Sequence, residues 1–296
     1  MTTHIELLQQ RNMGSALAVF RCLDYDPVVD ARWFGRFTVG DPTCPPEMRL
    51  VARRGAEIVG FVIGCVRGLE LVIKFIAVRP DHRRHGVATA LLGALEQTGR
   101  SLGLPRAVAG GVGPNFFYPG VDLALTPALS FFWRHGYQTD RVAAVDMLVD
   151  LPRAPLDVAL DLARLQSEGL CVQRVPRDSL AAVAEFGGRQ SDAWRQEVLL
   201  AGENEPISAF AAYDGDDPIA FAVYGVTGPH RFGPTLTHPG YRRHGIGGAL
   251  LKLCLADIHA WGWSQAEITW AGPVQYYARA VGATIHKAYW TFTKNL

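Results

Sequence analysis

The chain has 296 residues, of which 49% are hydrophobic and 19% charged, and its 29 basic and 28 acidic side chains give a formal net charge of +1. This composition is typical of a folded globular protein rather than a disordered one, and the length predicts two domains. The near-neutral charge argues against a nucleic-acid partner bound through a basic face. The longest apolar run, residues 58–66, is far shorter than the roughly 18 residues that a membrane span needs, so we expect no membrane partner.

The amino-terminal sequence and the cysteines bear on the cellular compartment. Residues 1–6 have neither the basic opening nor the apolar stretch of a secretion signal, which predicts a cytoplasmic protein. The five cysteines include no Cys-x-x-Cys pair and no spacing to histidines that suits zinc. We therefore expect neither a disulfide framework nor a bound metal.

The first half of the chain predicts strands followed by alternating helices and strands. A turn at residues 54–55 separates two β-rich runs and predicts a hairpin. Val87, Leu91 and Leu95 form the i, i+4 stripe of a helix that ends near residue 103. The predicted elements are strands at 48–53, 57–66 and 71–78, a helix at 87–103, a strand at 106–109, a helix at 127–135 and a strand at 142–149.

The second half repeats this plan. Asp-Gly-Asp-Asp at residues 214–217 separates two β-rich runs and predicts another hairpin, and Ile246, Leu250 and Cys254 form the apolar stripe of a helix. The predicted elements are strands at 207–213, 218–226 and 232–238, a helix from 246 through 258, a strand at 266–270, a helix at 274–281 and a strand at 284–293. Both halves are therefore predicted as α/β domains, each a mixed, mostly antiparallel twisted sheet with helices on both faces.

A duplicated motif supports the division into two halves. Pro-Asp-His-Arg-Arg-His-Gly-Val-Ala at residues 80–88 and Pro-Gly-Tyr-Arg-Arg-His-Gly-Ile-Gly at residues 239–247 lie 159 residues apart (245 − 86 = 159). This self-similarity at about half the chain length predicts a duplicated domain. Pro152 and Pro155 interrupt any helix or central strand between the copies, so the domain boundary is expected there. The predicted domains are residues 1–150 and 151–296.

The duplicated loop has the composition of an anion-binding site. A strand that runs through Arg-x-x-Gly into a helix leaves backbone N–H groups unpaired at the helix amino terminus. Glycine lets a phosphate approach the backbone closely, and the helix dipole and the arginines favour negative charge. Each copy therefore predicts a pyrophosphate site, and the alternative is that Gly86 and Gly245 only form tight turns. Neither copy continues into Gly-Lys-Ser/Thr, and residues 245–250 lack the third glycine of the dinucleotide fingerprint, which excludes those two phosphate motifs.

The order of strand, proline, Arg-x-x-Gly-x-Gly/Ala and helix resembles the coenzyme A loop of the GNAT superfamily of N-acetyltransferases, and the resemblance covers both halves. The layout is similar to that of tandem GNAT proteins, in which often only one half is catalytic. The resemblance implies acetyl-CoA as co-substrate, with the pantetheine arm on the strand before each loop and the pyrophosphate on the loop. The implied cofactor-binding residues are Ile76, Ala77, Val78, Arg84, His85, Gly86, Val87, Ala88 and Thr89 in the first half, and Leu236, Thr237, His238, Arg243, His244, Gly245, Ile246, Gly247 and Gly248 in the second.

The resemblance also implies a tyrosine that protonates the departing thiolate, shortly before the glycine that closes the last helix. Tyr277 stands at this position in the second half, whereas the first half has Phe132, which has no proton to donate. Tyr277 is therefore the predicted catalytic residue, and packing of its ring in the core is the alternative. Glu267 and His230 are the nominees for a general base, with proton transfer through water as the other route.

The first half carries about thirteen extra residues between the loop glycine and the glycine that ends the last helix (136 − 86 = 50 against 282 − 245 = 37). They fall in residues 111–122, an aromatic segment. We expect it to pack between domains, since exposing such a cluster is costly, or else to bind the acceptor through Asn115, Tyr118 and Asp122.

The expected function is transfer of an acetyl group from acetyl-CoA to a primary amine of a small molecule or peptide, by direct attack of the amine on the thioester. Catalysis is expected in the carboxyl-terminal half, which contains Tyr277. Two alternatives stay open, namely catalysis in the amino-terminal half and a non-catalytic acyl-CoA-binding regulatory protein. The sequence does not name the acceptor.

Overall fold

The structure is a computed structural model and describes residues 2–111 and 113–296. The chain forms two compact units: unit 1 comprises residues 1–144 and 289–296, and unit 2 comprises residues 145–288. Met1, part of the amino-terminal sequence considered above, and Val112, part of the aromatic segment 111–122, lie outside the described residues.

Strands and helices alternate along most of the chain. The strands are β1 (His4–Leu7), β2 (Arg49–Arg54), β3 (Glu57–Arg67), β4 (Glu70–Val78), β5 (Arg106–Ala109), β6 (Val121–Asp122), β7 (Ala143–Asp150), β8 (Leu170–Arg174), β9 (Ala209–Asp214), β10 (Asp217–Tyr224), β11 (Arg231–Thr237), β12 (Gln265–Ile268), β13 (Thr284–Trp290) and β14 (Phe292–Asn295). The helices are α1 (Met13–Arg21), α2 (Ala31–Phe37), α3 (Val87–Ser101), α4 (Thr126–Arg134), α5 (Ala159–Ser167), α6 (Leu180–Gly188), α7 (Asp192–Ala201), α8 (Ile246–Ala260) and α9 (Val274–Val281).

The sheet of unit 1 has the strand order β1-β2-β3-β4-β5-β14. Neighbouring strands are antiparallel except β4 and β5, which are parallel. Eight successive residues of β3 are buried, so this strand is covered on both faces. That is why its sequence is a continuous apolar run instead of an alternating one.

Helices cover both faces of the unit 1 sheet. On one face α1 and α2 bury an aromatic cluster that includes Phe20, Phe34 and Phe37 against β3 and β4. On the other face α3 and α4 bury Leu91 and Phe132 against alternate residues of the same strands. This arrangement confirms the fold class predicted for the half, because successive strand residues point to opposite faces.

Unit 2 repeats this architecture. Its sheet includes the run β13-β7-β12-β11-β10-β9-β8, in which β11 and β12 are parallel. Helices α5 and α8 pack on one face, with the predicted stripe of Ile246, Leu250 and Cys254 fully in the core. Helices α6 and α7 cover the other face. Helix α8 therefore occupies the place that α3 has in unit 1.

The two units do not follow the division at residue 150 that the sequence predicted. Strand β7 pairs with β12 through residues 147–150, so most of the strand that ends the first half belongs to unit 2. The single strand expected at 284–293 is two strands, and the second, β14, pairs with β5 in unit 1. A strand's sequence pattern fixes which residues point inward but not which sheet edge the strand joins.

Helices α3 and α8 have 15 residues each. Within the described ranges, no helix combines the length and the apolar character required to cross a membrane.

Candidate active site

In unit 1 the parallel strands β4 and β5 separate part of the way along. They pair from Glu70 with Arg106 to Ile73 with Ala109, after which β5 ends. Beyond this point β4 continues to Val78 while still paired with β3 on its other side. The β5-facing edge of residues 75–78 is therefore not occupied by β5, and such an edge offers backbone N–H and C=O groups to a ligand.

The predicted anion loop follows directly. Gly86 has a φ of +75°, a conformation that favours glycine, and it caps the amino terminus of α3. The loop from Arg83 to Gly86 is exposed. A Cβ atom on Gly86 would meet no other atom within 4 Å, so the space in front of the first amides of α3 is open. These amides point towards an incoming anion.

The strand edge and the loop border one cavity of about 740 Å³. Its walls come from β4, the loop, α4, the segment after α1 and residues 118–122. The lining residues from the first part of the unit are Leu23, Tyr25, 73–78, 82–84 and 86–89. Those from the later part are 109, 110, 118, 120–122, 125–128, 130–132, 134 and 135. A cavity of this volume is typical of a site that encloses a small molecule.

Most cofactor-binding residues predicted for the first half line this cavity. They are Ile76, Ala77, Val78, Arg84, Gly86, Val87, Ala88 and Thr89, whereas His85 is exposed and is not part of the lining. The Thr89 Oγ1 and His135 Nε2 atoms lie 3.1 Å apart, which links the first turn of α3 to the end of α4. The His135 ring lies against Phe131 with centroids 4.3 Å apart.

Phe132 is buried in the core of unit 1, in keeping with its lack of a proton to donate. The hydroxyl groups on the cavity lining belong to other residues. They are Tyr25, Thr89, Tyr118, Thr126 and Ser130. Sequence reasoning did not consider Tyr25, because the segment after α1 carries no motif.

The aromatic segment 111–122 packs inside unit 1. Phe117 lies within 5.1 Å of Phe37 and of Phe75 between ring centroids, and Asn115 accepts a hydrogen bond from Arg36 Nε. Of the acceptor-binding candidates, Tyr118 and Asp122 line the cavity and Asn115 does not. Phe117 and Tyr118 thus belong to the core of unit 1, and Tyr118 stacks on Tyr289 of the same unit.

Unit 2 has the same local geometry at its loop, where Gly245 has a φ of +78° and caps α8. Strand β11 likewise pairs with β12 only through its first two residues, Arg231 and Phe232. The 159-residue offset, however, matches Phe75 with Pro234, and proline has no backbone N–H. This difference could have been read from the sequence by extending the alignment of the two loops backwards.

Side chains of unit 2 occupy the surroundings of its own loop. A Cβ atom on Gly247 would lie 3.3 Å from the Tyr276 hydroxyl oxygen. Arg164 donates to the His244 carbonyl oxygen at 2.7 Å, and a Cβ atom on Gly245 would lie 2.6 Å from its Nη2 atom. The Cβ position that is free at Gly86 is therefore contacted at Gly245 by the end of the Arg164 side chain.

The remaining predicted residues of the second half lie around this filled loop. Leu236, Thr237, Gly247 and Gly248 are half-buried, Ile246 is buried, and His238, Arg243, His244 and Gly245 are exposed. A surface depression beside α9 is lined by residues 272–276, 279 and 280, and by none of residues 242–248.

Tyr277, the predicted proton donor, is buried in the core of unit 2. It is 5% exposed and its ring lies 6.2 Å from that of Phe232 between centroids. Burial raises the pKa of its hydroxyl, and the neighbouring Tyr276 adds to the increase. The position therefore has the surroundings of a packing residue, which was the alternative reading of the sequence.

The two nominees for a general base lie in the same unit. Glu267 is 3% exposed, and its carboxylate is 2.8 Å from Arg231 Nε and 3.8 Å from Lys287 Nζ. Burial favours a raised pKa for Glu267, but the charges of Arg231 and Lys287 outweigh it and the pKa is lowered. The His230 ring stacks on Trp263 at 5.0 Å between centroids. Glu267 thus serves an internal ion pair.

No group of three or more histidine, cysteine, aspartate or glutamate side chains in residues 2–111 and 113–296 is arranged to hold a metal ion. Within the same residues the five cysteines are free thiols, of which Cys44, Cys65 and Cys254 are buried.

Comparison with known proteins places these features in a family. The model of the acetyltransferase (GNAT) family matches residues 21–118 and 177–281. Acetyltransferase SG1711 of Sodalis glossinidius (strain morsitans) is 34% identical over 61 residues, which are 21% of this chain and 43% of that relative.

Solved structures share the fold across both units. A tandem GNAT protein from the clavulanic acid biosynthesis pathway has a TM-score of 0.72 at 17% identity, with 99% of this chain and 98% of that chain covered. A GCN5-related N-acetyltransferase from Sphaerobacter thermophilus has the same TM-score and identity, with 99% and 95% covered.

A glucosamine N-acetyltransferase region of a fungal multi-domain GH3 β-N-acetylglucosaminidase has a TM-score of 0.80 at 17% identity, with 99% of this chain and 38% of that chain covered. This chain spans less than half the length of the fungal protein, and its match to the Sodalis protein covers less than half of that relative. The family model matches each half over the region that holds its loop, and the tandem layout recurs in solved structures; the chain is therefore a tandem member of the GNAT acetyltransferase family.

Proposed function

We propose that the protein is an acetyl-CoA-dependent N-acetyltransferase whose active site is the cavity of unit 1. The observation that carries the proposal is the joining of an open strand edge at residues 75–78 to an open, glycine-capped helix terminus at Gly86 within one cavity. An extended, amide-bearing arm that ends in a pyrophosphate has the shape and chemistry to fit such a cavity.

The residues of unit 1 suit each part of this ligand. The amides of residues 84–89 would hold the pyrophosphate, and the backbone of residues 76–78 would pair with the pantetheine arm. Acetyl-CoA, when bound, supplies an acetyl group activated as a thioester. Backbone N–H groups at the β4 edge would stabilise negative charge on the carbonyl oxygen, and fixed positioning of the two reactants supplies much of the rate.

The proposal moves the site from the carboxyl-terminal to the amino-terminal half. At the position of Phe75 unit 2 has Pro234, which has no backbone N–H, and Tyr276 and Arg164 lie beside the equivalent loop. A pyrophosphate at Gly245 would have to displace these side chains. In unit 1 no such displacement is required at Gly86.

The test is a calorimetric titration of the protein with acetyl-CoA, combined with an assay for CoA release over a panel of primary amines. We expect one acetyl-CoA per chain and turnover with at least one amine. The panel includes glucosamine, because one relative is a glucosamine N-acetyltransferase region. No binding of acetyl-CoA would overturn the proposal, and tight binding without turnover on the whole panel would favour the acyl-CoA-binding regulatory protein.

A further inference from the structure

Asp122 is a buried carboxylate whose charge has no cationic partner. It is 6% exposed. Its Oδ2 atom accepts a hydrogen bond from the Tyr25 hydroxyl at 2.5 Å, and its Oδ1 atom accepts one from the Ala124 amide at 2.9 Å. Across the described ranges, 2–111 and 113–296, no lysine, arginine or histidine side chain forms an ion pair with it.

Three other buried carboxylates of the described residues have cationic partners. Exposed by 2%, 6% and 3% respectively, they are each held by two basic side chains of the same unit. They are Asp41 with Lys74 and Arg67, Glu96 with Lys294 and Arg100, and Glu267 with Arg231 and Lys287. Burying a carboxylate costs free energy unless an opposite charge compensates, so the lone charge of Asp122 requires another explanation.

The position of Asp122 supplies one. It lines the cavity together with Tyr25 and Tyr118. The rings of the two tyrosines meet edge to face, with centroids 5.0 Å apart, and the Tyr118 ring is 6.0 Å from that of Phe75. The Tyr118 hydroxyl donates to Asp26 at 3.0 Å, which fixes this ring. Aromatic faces beside a carboxylate attract an organic cation.

The basic residues that line the cavity do not neutralise the charge of Asp122. Lys74 donates to Asp41 at 2.8 Å and to the Phe37 carbonyl oxygen at 2.6 Å, so its charge is already used. The others belong to the segment from Pro80 to Gly86 or to the end of α4, and none of them forms an ion pair with Asp122 in the described residues. They are His82, Arg83, Arg84, Arg134 and His135. A ligand carboxylate at the Asp122 end would therefore meet a negative charge without a compensating cation.

We propose that Asp122, flanked by Tyr25 and Tyr118, binds the ammonium group of the acceptor, and that the acceptor is a primary amine with an apolar body and no carboxylate beside the amine. The inference rests on the proposed function, because it assumes that the thioester lies in the same cavity. It names the substrate class and an acceptor-binding residue.

The first experiment measures acceptor binding without turnover, by titrating 2-phenylethylamine into protein saturated with CoA. We expect binding to the parent protein and affinity about 10-fold weaker in Asp122→Asn, since a charge-assisted contact becomes a neutral one. L-Phenylalanine, which adds a carboxylate to the same body, should bind at least about 10-fold more weakly than 2-phenylethylamine. 2-Phenylethanol lacks the charge and should not distinguish the two proteins.

The second experiment separates a binding role from a structural one by thermal unfolding. A carboxylate kept for a ligand destabilises the free protein, so Asp122→Asn should keep or raise the melting temperature. The matched variant Asp41→Asn leaves Lys74 and Arg67 without their carboxylate and should lower it.

Three results would overturn the inference: no binding of 2-phenylethylamine to the CoA-saturated parent, equal affinity in the folded Asp122→Asn variant, or equal binding of L-phenylalanine. Failure of CoA and acetyl-CoA to bind the parent protein would instead overturn the proposed function.

Discussion

The two copies of the duplicated loop have nearly the same backbone and different surroundings. Gly86 and Gly245 have φ values of +75° and +78°, and each caps a 15-residue helix. In front of Gly86 the space is open and continuous with a cavity, whereas Arg164 and Tyr276 lie against the second loop. A loop motif therefore predicts a local conformation, and the neighbouring elements determine whether a ligand can reach it.

The strands before the loops differ in a similar way. Both leave their parallel neighbour early, but Phe75 has a backbone N–H at the position where unit 2 has Pro234. The two loops thus share their backbone geometry, and the strands before them differ at the position of Phe75 and Pro234. Each of the following predictions tests one part of this difference.

The largest expected effect comes from Gly86→Val compared with Gly245→Val. Both place a β-branched residue at a positive φ and carry a similar strain of about 1–2 kcal/mol. We expect Gly86→Val to weaken acetyl-CoA binding about 100-fold, because the side chain blocks close approach of the pyrophosphate. Gly245→Val should stay within about 2-fold of the parent, as measured by calorimetry.

Thermal unfolding of both variants is the internal control for folding. Both carry the strain of a positive φ, and Gly245→Val in addition displaces the Arg164 guanidinium, so it should lose at least as much melting temperature as Gly86→Val. If acetyl-CoA binding were lost only in Gly245→Val, the cofactor site would lie in unit 2, and the proposed difference between the two loops would be wrong.

An intermediate effect is expected on the acid stability of unit 1. Burial favours a raised pKa for Asp41, but the Lys74 charge and hydrogen bonds from Lys74 and Thr43 outweigh it and lower the pKa. The unfolded chain binds a proton near the ordinary value of about 3.9, above the folded pKa. The stabilisation that ionised Asp41 gives to the folded protein is therefore present above about pH 4. It is lost as the pH falls through the pKa that Asp41 has in the folded protein.

Urea unfolding between pH 7 and pH 3 measures this effect. The free energy of unfolding should fall less steeply with decreasing pH in Asp41→Asn than in the parent, by at most about 1.4 kcal/mol per pH unit. Glu267→Gln should do the same for unit 2, where the Glu267 pKa is also lowered. Identical slopes in parent and variants would mean that these ion pairs do not control acid stability.

The smallest expected effect is that of Tyr277→Phe. A proton donor in the active site would lose about 100-fold in turnover on this change. Because Tyr277 lies in the core of unit 2 and the proposed site lies in unit 1, we expect turnover within about 2-fold of the parent. A steady-state acetyl-transfer assay decides between the two values, with Tyr276→Phe as the matched control.

Much of the fold could be predicted from the sequence. The helix at 274–281 and the strand at 106–109 are found at the predicted residues, and the buried stripe of α8 is as expected. These segments carry a strong apolar period or a glycine at their end. Five helices were not predicted, namely α1, α2, α5, α6 and α7. Of these, α2 has only seven residues and α6 is apolar on most sides, so neither shows a clear amphipathic period.

For the candidate site, the sequence predicted the two loops but not which residues surround each of them. The sequence by itself determined the duplication, the fold class and the conformation of the two loops, because these depend on local residue patterns and on glycines at positive φ. Tertiary structure alone decided that β14 pairs with β5 in unit 1, that Tyr276 lies beside the second loop, and that no cation of residues 2–111 and 113–296 pairs with Asp122. Each of these depends on which distant segments pack together, and a local pattern carries no information on that choice.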